Sequence, residues 1–209
     1  MGLLEIITGR RKLAGPAPDR LFAMSTAYVT LETGLGMTNR GAAAIVFQPL
    51  ATVDFDQVVR DMEEVVKATA ADSATTVERT DDSYGFRWLI LRGKDFEGLV
   101  VGVNAISSAL KDGGYGERLL CAVFGFSDRG SRPPGVPEAT DVAASGAPPG
   151  KVIYWIYNYK RATFYPFIPT SGTEQRDSER ELVVKAQIGA DLPVEPELER
   201  WFPLWGIPI

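Results

Sequence analysis

The apolar positions that follow Asp54 fall at helical spacing. Phe55, Val58, Val59, Met62, Val65 and Val66 make one stripe, with Arg60, Glu63, Glu64 and Lys67 outside it. Asp54 stands where an N-cap belongs, and Gln57 three residues on completes a capping box. A second helix is predicted from Asp95, which caps a run with Phe96, Leu99, Val100, Val103, Ile106 and Leu110 on its inner face. Asp112-Gly113-Gly114 ends it, since glycine readily takes the left-handed conformation at a helix C-terminus. Gly98 and Gly102, one turn apart on that helix, fit a close approach of helix to sheet. A third helix is predicted over about Glu174 to Ile188.

Between the helices the pattern changes. Tyr28 to Thr33 and Ala43 to Phe47 read as strands, joined by a glycine-rich hairpin loop from Gly34 to Gly41 whose spacing is not that of a phosphate loop. Thr76 to Thr80 and Tyr84 to Leu91 read as two more, with Asp81-Asp82-Ser83 in a turn where aspartate bonds its own backbone. Leu119 to Phe126 and Lys151 to Tyr157 are apolar on both faces, the pattern of strands covered on both sides. The segment between them is rich in glycine and proline and has no aromatic side chain. It cannot bury enough apolar surface to offset its ordering entropy, and is predicted as a disordered loop at about 127–150.

At the N-terminus Leu3, Leu4, Ile6 and Ile7 precede Arg10, Arg11 and Lys12, which predicts a short amphipathic helix over 1–13. The charge follows the apolar part, the reverse of a signal peptide. A helix of this composition can rest on anionic lipid. The whole pattern predicts a single α+β domain over 20–209, an antiparallel or mixed sheet with helices packed mainly on one face.

Composition narrows the chemistry. The net charge of -5, with acidic residues spread along the chain, argues against a nucleic-acid partner, which needs many cations to displace phosphate counterions. No run approaches the roughly 18 apolar residues of a membrane-spanning helix. The single Cys121 excludes an internal disulfide and fits a reducing cytoplasm. The chain has no histidine, so Ser-His-Asp and Cys-His nucleophiles, His-ligated zinc and the ordinary neutral-pH base are excluded. No catalytic residue, metal or cofactor is expected.

The aromatic and cationic stretch Asn158 to Pro169 is the main candidate for a site. Tyr159, Arg161, Phe164 and Tyr165 are residue types enriched in interface cores, Lys160 is a candidate beside them, and Pro166 and Pro169 suit an edge strand that could accept a partner. The same rings could equally be core, with Lys160 and Arg161 marking a turn. At the C-terminus Trp201, Phe202, Leu204 and Trp205 either cap the core or await a partner, with Trp205 the more available indole. Two further readings stand beside docking. One is a peripheral membrane module acting through Leu3, Leu4, Ile6, Ile7, Arg10, Arg11 and Lys12. The other is a small-ligand-binding domain or unusual histidine-free enzyme with a cleft near Tyr159 and Arg161.

Four segments also resemble a known family. "DSYGFRWLI" (82–90), "NAISSALKDGGYGERLLCAVFGF" (104–126), "YNYKRATFYPFIP" (157–169) and "RWFPLWGIP" (200–208) are similar to PspAB, the PspA-associated protein family of actinobacteria and archaea. The resemblance covers nearly the whole chain and implies a context, not a reaction. Its members are accessory components of the phage-shock type envelope-stress response, encoded near PspA or an HtpX-type membrane protease. It implies a non-enzymatic adaptor or chaperone-like protein in the cytoplasm, at the inner face of the membrane. A fold similar to the YbjN and type III secretion chaperone group is expected by analogy.

Overall fold

The computed structural model describes residues 20–70, 75–128 and 150–209. The predicted helix over 1–13, with Leu3, Leu4, Ile6, Ile7, Arg10, Arg11 and Lys12, lies outside the described residues, as does nearly all of the predicted loop over 127–150. The chain begins with helix α1 (Ala23–Val29), a π-helical turn (Thr30–Gly34) and strand β1 (Met37–Phe47), followed by α2 (Val53–Ala70), β2 (Thr76–Asp81) and β3 (Arg87–Arg92). Then come α3 (Phe96–Asp112), β4 (Leu119–Asp128), β5 (Lys151–Asn158), β6 (Thr163–Phe167) and α4 (Ser178–Ile188). Three-residue 3-10 turns precede β4 (Gly116–Arg118) and the C-terminal tail (Leu198–Arg200).

The strands form one six-stranded sheet in the order β2-β3-β1-β4-β5-β6, every neighbouring pair antiparallel. This is an α+β fold with the helices on one face. Alternation along the strands makes two apolar layers. Ala43, Ile45, Leu89, Ala122, Phe124, Trp155 and Tyr157 point to the helices, where Phe55, Val59, Leu99, Val103, Ile106 and Val184 meet them. Ala44, Val46, Trp88, Ile90, Cys121, Val123, Tyr154 and Ile156 point the other way and are covered by the C-terminal tail through Trp201, Leu204, Trp205, Ile207 and Ile209. Two-sided cover explains why β4 and β5 read as apolar throughout.

Helix α3 matches its predicted pattern. Asp95 caps it by accepting the Gly98 N–H at 3.0 Å, and Phe96, Leu99, Val100, Val103, Ile106 and Leu110 are all buried. Gly102 sits directly over Leu91, so any added Cβ would run into that side chain. The helix therefore approaches the sheet closely here, as the small residue suggests. In α2 the cap is Thr52, whose hydroxyl accepts the Phe55 N–H at 3.4 Å. Gln57 bonds Asp61 and Arg60 along the helix instead of reaching back to Asp54. The expected capping box is therefore absent.

The predicted strand over Tyr28 to Thr33 is helical. Leu21, Met24, Ala27, Leu31 and Leu35 recur every three or four residues and are all buried, so packing of this stripe outweighs the β-propensity of Tyr-Val-Thr. The expected loop over Gly34 to Gly41 is mostly the start of β1. Gly41, at φ +70°, lies where the β1–β4 register shifts between Asn39 and Ala43, and the Asn39 side chain accepts its N–H at 2.8 Å. Glycine here makes a bulge in a strand and not a hairpin.

Candidate functional site

The hairpin joining β5 to β6 carries the stretch singled out in the sequence, and the structure divides its residues. Asn158 organises the turn: its carbonyl accepts the N–H groups of Arg161 and Ala162 at 3.2 and 2.8 Å, and its side-chain oxygen accepts that of Lys160 at 3.0 Å. Tyr159 and Phe164 turn to the helix face and are buried beside Tyr157, with ring centroids 5.1 and 4.7 Å from it. They are core, unavailable to a partner in this conformation. Burial pushes the Tyr159 and Tyr165 hydroxyls far above their ordinary titration range, which removes them as acids near neutral pH.

The outer edge of β6 is also occupied. Phe164 N–H donates to the Pro193 carbonyl and Glu195 N–H to the Phe164 carbonyl, each at 2.8 Å, so residues 193–195 add a short parallel bridge. Further along, the Glu181 carboxylate accepts the Ile168 N–H at 2.8 Å. Arg176 grips the same carboxylate at 2.6 Å and donates to the Trp201 carbonyl at 2.7 Å, while its guanidinium lies over the Phe167 ring. An open edge was expected from the two prolines. Instead the chain's own tail and α4 cover it, so β6 is not a free docking strand. Arg161, expected at a docking surface, is tied to Glu195 at 2.6 Å and locks that cover in place.

The other predicted residues converge on the opposite face of the sheet. Lys160, Tyr165 and Trp205 line a cleft of about 430 Å³ between the β3 side of the sheet and the C-terminal tail. Its floor includes Val46, Leu120 and Cys121; its walls are Tyr84, Phe86, Trp88, Tyr165, Phe202 and Trp205. The Tyr165 hydroxyl donates to the Phe202 carbonyl at 3.0 Å, holding the tail across the opening, and Trp205 packs edge-on against Phe167. Burial pushes the Cys121 thiol up to about 12, so it is a neutral part of the floor.

The cleft carries two charged side chains in unlike states. The Asp82 carboxylate accepts the backbone N–H groups of Tyr84 and Phe86 and the indole N–H of Trp88, all at 2.9 Å. Its charge is answered by three donors. Its neighbour Asp81 is bound by Arg87 at 2.8 Å, so the two carboxylates build a turn, as their spacing suggests. Lys160 is exposed, and among the described residues its ammonium meets no partner. Asp82, Tyr84, Phe86 and Trp88 were not expected at a site, and Phe202 and Leu204 were expected only to cap the core or await a partner. The signal was present in the aromatic rings at positions 84, 86 and 88, every second residue, which places them on one side of an extended chain.

A shallower depression of about 340 Å³ lies between α2 and α3, with Val58, Ala105 and Ala109 beside Asp61 and Asp112. Among the described residues no helix is long and apolar enough to cross a membrane. No curated protein and no solved structure matches the chain, so the expected likeness to the YbjN and type III secretion chaperone group finds no support. A family model described as PspAB, PspA associated protein B, matches residues 1–209. The match runs through the aromatic turn over β3, the β5–β6 hairpin and the aromatic tail that together frame the cleft, and the chain belongs to the PspAB family.

Proposed function

We propose that the chain is a non-enzymatic accessory of PspA, acting through protein contacts at the cytoplasmic face of the membrane in envelope-stress control. The observation that carries this reading is the match of the entire chain to a family named for association with PspA. An HtpX-type membrane protease is a second proposed partner, on the sequence resemblance alone. The contact surface we assign is the rim of the cleft, where Tyr84 and Phe202 are 74% and 59% exposed and stand beside the free ammonium of Lys160. Large exposed rings are the side chains that anchor interfaces, because they bury much area at small entropic cost, and the lysine beside them favours a partner surface of negative charge. Tyr159 and Phe164 are left out because they are core, and Arg161 because it is spent on Glu195.

The test is co-purification of tagged protein with PspA, followed by titration calorimetry with purified components. Phe202→Ala and Lys160→Ala should each weaken the complex several-fold with little change in melting temperature, since both side chains are exposed. Absence of a complex with the intact protein would refute the reading. Equal binding by Phe202→Ala, Tyr84→Ala and Lys160→Ala would refute the assigned surface.

A further inference from the structure

The partner reading uses only the rim of the cleft on the tail-covered face and leaves its interior unassigned. The cleft volume of about 430 Å³ lies within the range of roughly 300–1,000 Å³ typical of small-molecule sites. Its floor is aliphatic and sulfur, its walls are aromatic, and its two charged groups are unequally satisfied by the protein. Asp82 already accepts three N–H donors, whereas the Lys160 ammonium at the rim has none of its needs met by the protein among the described residues. The turn that presents Lys160 is fixed by three hydrogen bonds to Asn158, so the ammonium springs from a defined point.

An aromatic enclosure alone would suit a quaternary cation as well as a neutral ring. The unpaired ammonium decides against the cation. We propose that the cleft is a binding site for a small apolar monoanion, the chemistry that acyl-chain and aryl carboxylates share, with its body among Trp88, Tyr165 and Trp205 and its carboxylate on Lys160. The apolar body supplies most of the affinity through burial, at about 25 cal/mol per Å² of apolar surface removed from water. The ammonium sits at the solvent boundary, where an ion pair contributes little to strength, so its role is to select the sign of the charge. The tail forms one wall, and Tyr165 holds it there through the Phe202 carbonyl.

The proposal is independent of PspA and is tested with the purified full chain alone. Dodecanoate below its micellar concentration, 1-naphthoate and dodecyltrimethylammonium are titrated separately, by calorimetry and by indole emission, to which Trp88 and Trp205 of the cleft contribute two of the four indoles. Dodecanoate or naphthoate should bind at one site per chain, and the better of the two identifies the acyl or aryl source. The cationic amphiphile should bind at least about fivefold more weakly than dodecanoate. Lys160→Ala should weaken the carboxylate by about threefold and Lys160→Glu by about tenfold, the scale of one exposed ion pair lost or reversed. Lys160→Glu should also narrow the preference over the cation, a readout that a simple packing defect would not move. Non-saturating binding of all three amphiphiles, equal affinity for cation and anion, or unchanged carboxylate affinity in Lys160→Glu would overturn the assignment.

Discussion

Arg161 and Glu195 meet at 2.6 Å across the outer margin of the sheet, the guanidinium at the surface and the carboxylate buried. Thr163 also donates to that carboxylate at 3.1 Å and the Glu197 N–H at 3.2 Å, so one side chain fastens the β5–β6 hairpin, the 193–195 segment and the start of the tail. Removing the guanidinium would leave a buried charge with weaker partners. Such a loss costs more than the pair itself contributes, because the remaining ion stays desolvated. Arg161→Ala is expected to lower stability by about 1–3 kcal/mol, the usual cost of stranding a buried polar group. Urea denaturation of the two proteins measures it. A midpoint unchanged from the parent would show that solvent replaces the guanidinium.

The same carboxylate predicts a pH dependence. Burial alone would raise its titration, but hydrogen bonds from Arg161, the Glu197 N–H and Thr163 outweigh burial and hold Glu195 below the ordinary carboxylate range. Its folded value lies below its unfolded value, so its contribution is complete above the unfolded pKa of about 4.3 and is lost as pH falls through the folded one. Glu181 has the opposite sign. Burial dominates there over its bonds from Arg176 and Ile168, raising its titration, so its contribution declines as pH rises through the raised value. In Glu195→Gln the stability deficit at pH 7 should shrink steadily as pH falls below about 5. Denaturation midpoints of both proteins between pH 7 and pH 3 check this. A deficit that stays constant over that range would mean the ionised form is not the stabilising one.

Much of this arrangement was legible in the residue pattern, and the failures have physical causes. Helix α3 was readable in full because a cap, a stripe and a glycine stop agreed, and each acts within one or two turns of chain. Strands β4 and β5 were recognisable as doubly covered from their unbroken apolar runs. Tyr-Val-Thr misled at 28–30, where local β-propensity opposed a longer stripe from Leu21 to Leu35 that burial favours. Pro166 in β6 and Pro169 just beyond it correctly marked an edge, yet could not reveal that residues about thirty positions later would cover it. The cleft was half visible: Lys160, Tyr165 and Trp205 were singled out, but Asp82, Phe86 and Trp88 join them only through the β3-β1-β4-β5 order of the sheet. Neighbourhood across a sheet is set by pairing, and single-sequence periodicity does not carry it.

Cys121 offers a probe of how tightly the tail closes the cleft. It is the one cysteine of the chain, lies on the floor, and has a thiol pushed up to about 12 by burial. Disulfide exchange proceeds through the thiolate, so reaction with an aromatic disulfide reagent at pH 8 should be slower than for a free thiol by at least about a hundredfold. Addition of denaturant should release the reaction at the unfolding midpoint. Leu204→Ala, which removes a contact of the tail with this face, should accelerate labelling before global unfolding begins. Rapid labelling of the intact protein would mean that the tail opens readily in solution.

Truncation after Trp201 tests whether the tail is structure or ornament. Residues 202–209 contribute Leu204, Trp205, Ile207 and Ile209 to the second apolar layer. They also supply acceptors for Tyr165 at the Phe202 carbonyl, Tyr154 at the Ile209 carbonyl (3.0 Å each) and Arg92 at the Pro208 carbonyl (3.3 Å). Each of the four apolar side chains is partly buried, so about 1 kcal/mol apiece is a fair half of the full burial value, or about 4 kcal/mol together. The three donors regain water, and their net contribution is small beside that sum. The truncated chain should therefore lose about 4 kcal/mol in urea denaturation and should bind anilinonaphthalene sulfonate strongly while keeping its far-ultraviolet circular dichroism, because the helix-covered layer is untouched. It should also lose the cleft, since Phe202 and Trp205 form one of its walls. Unchanged stability and dye binding would show that the tail leaves this face in solution, and that the enclosed cleft is one of several conformations.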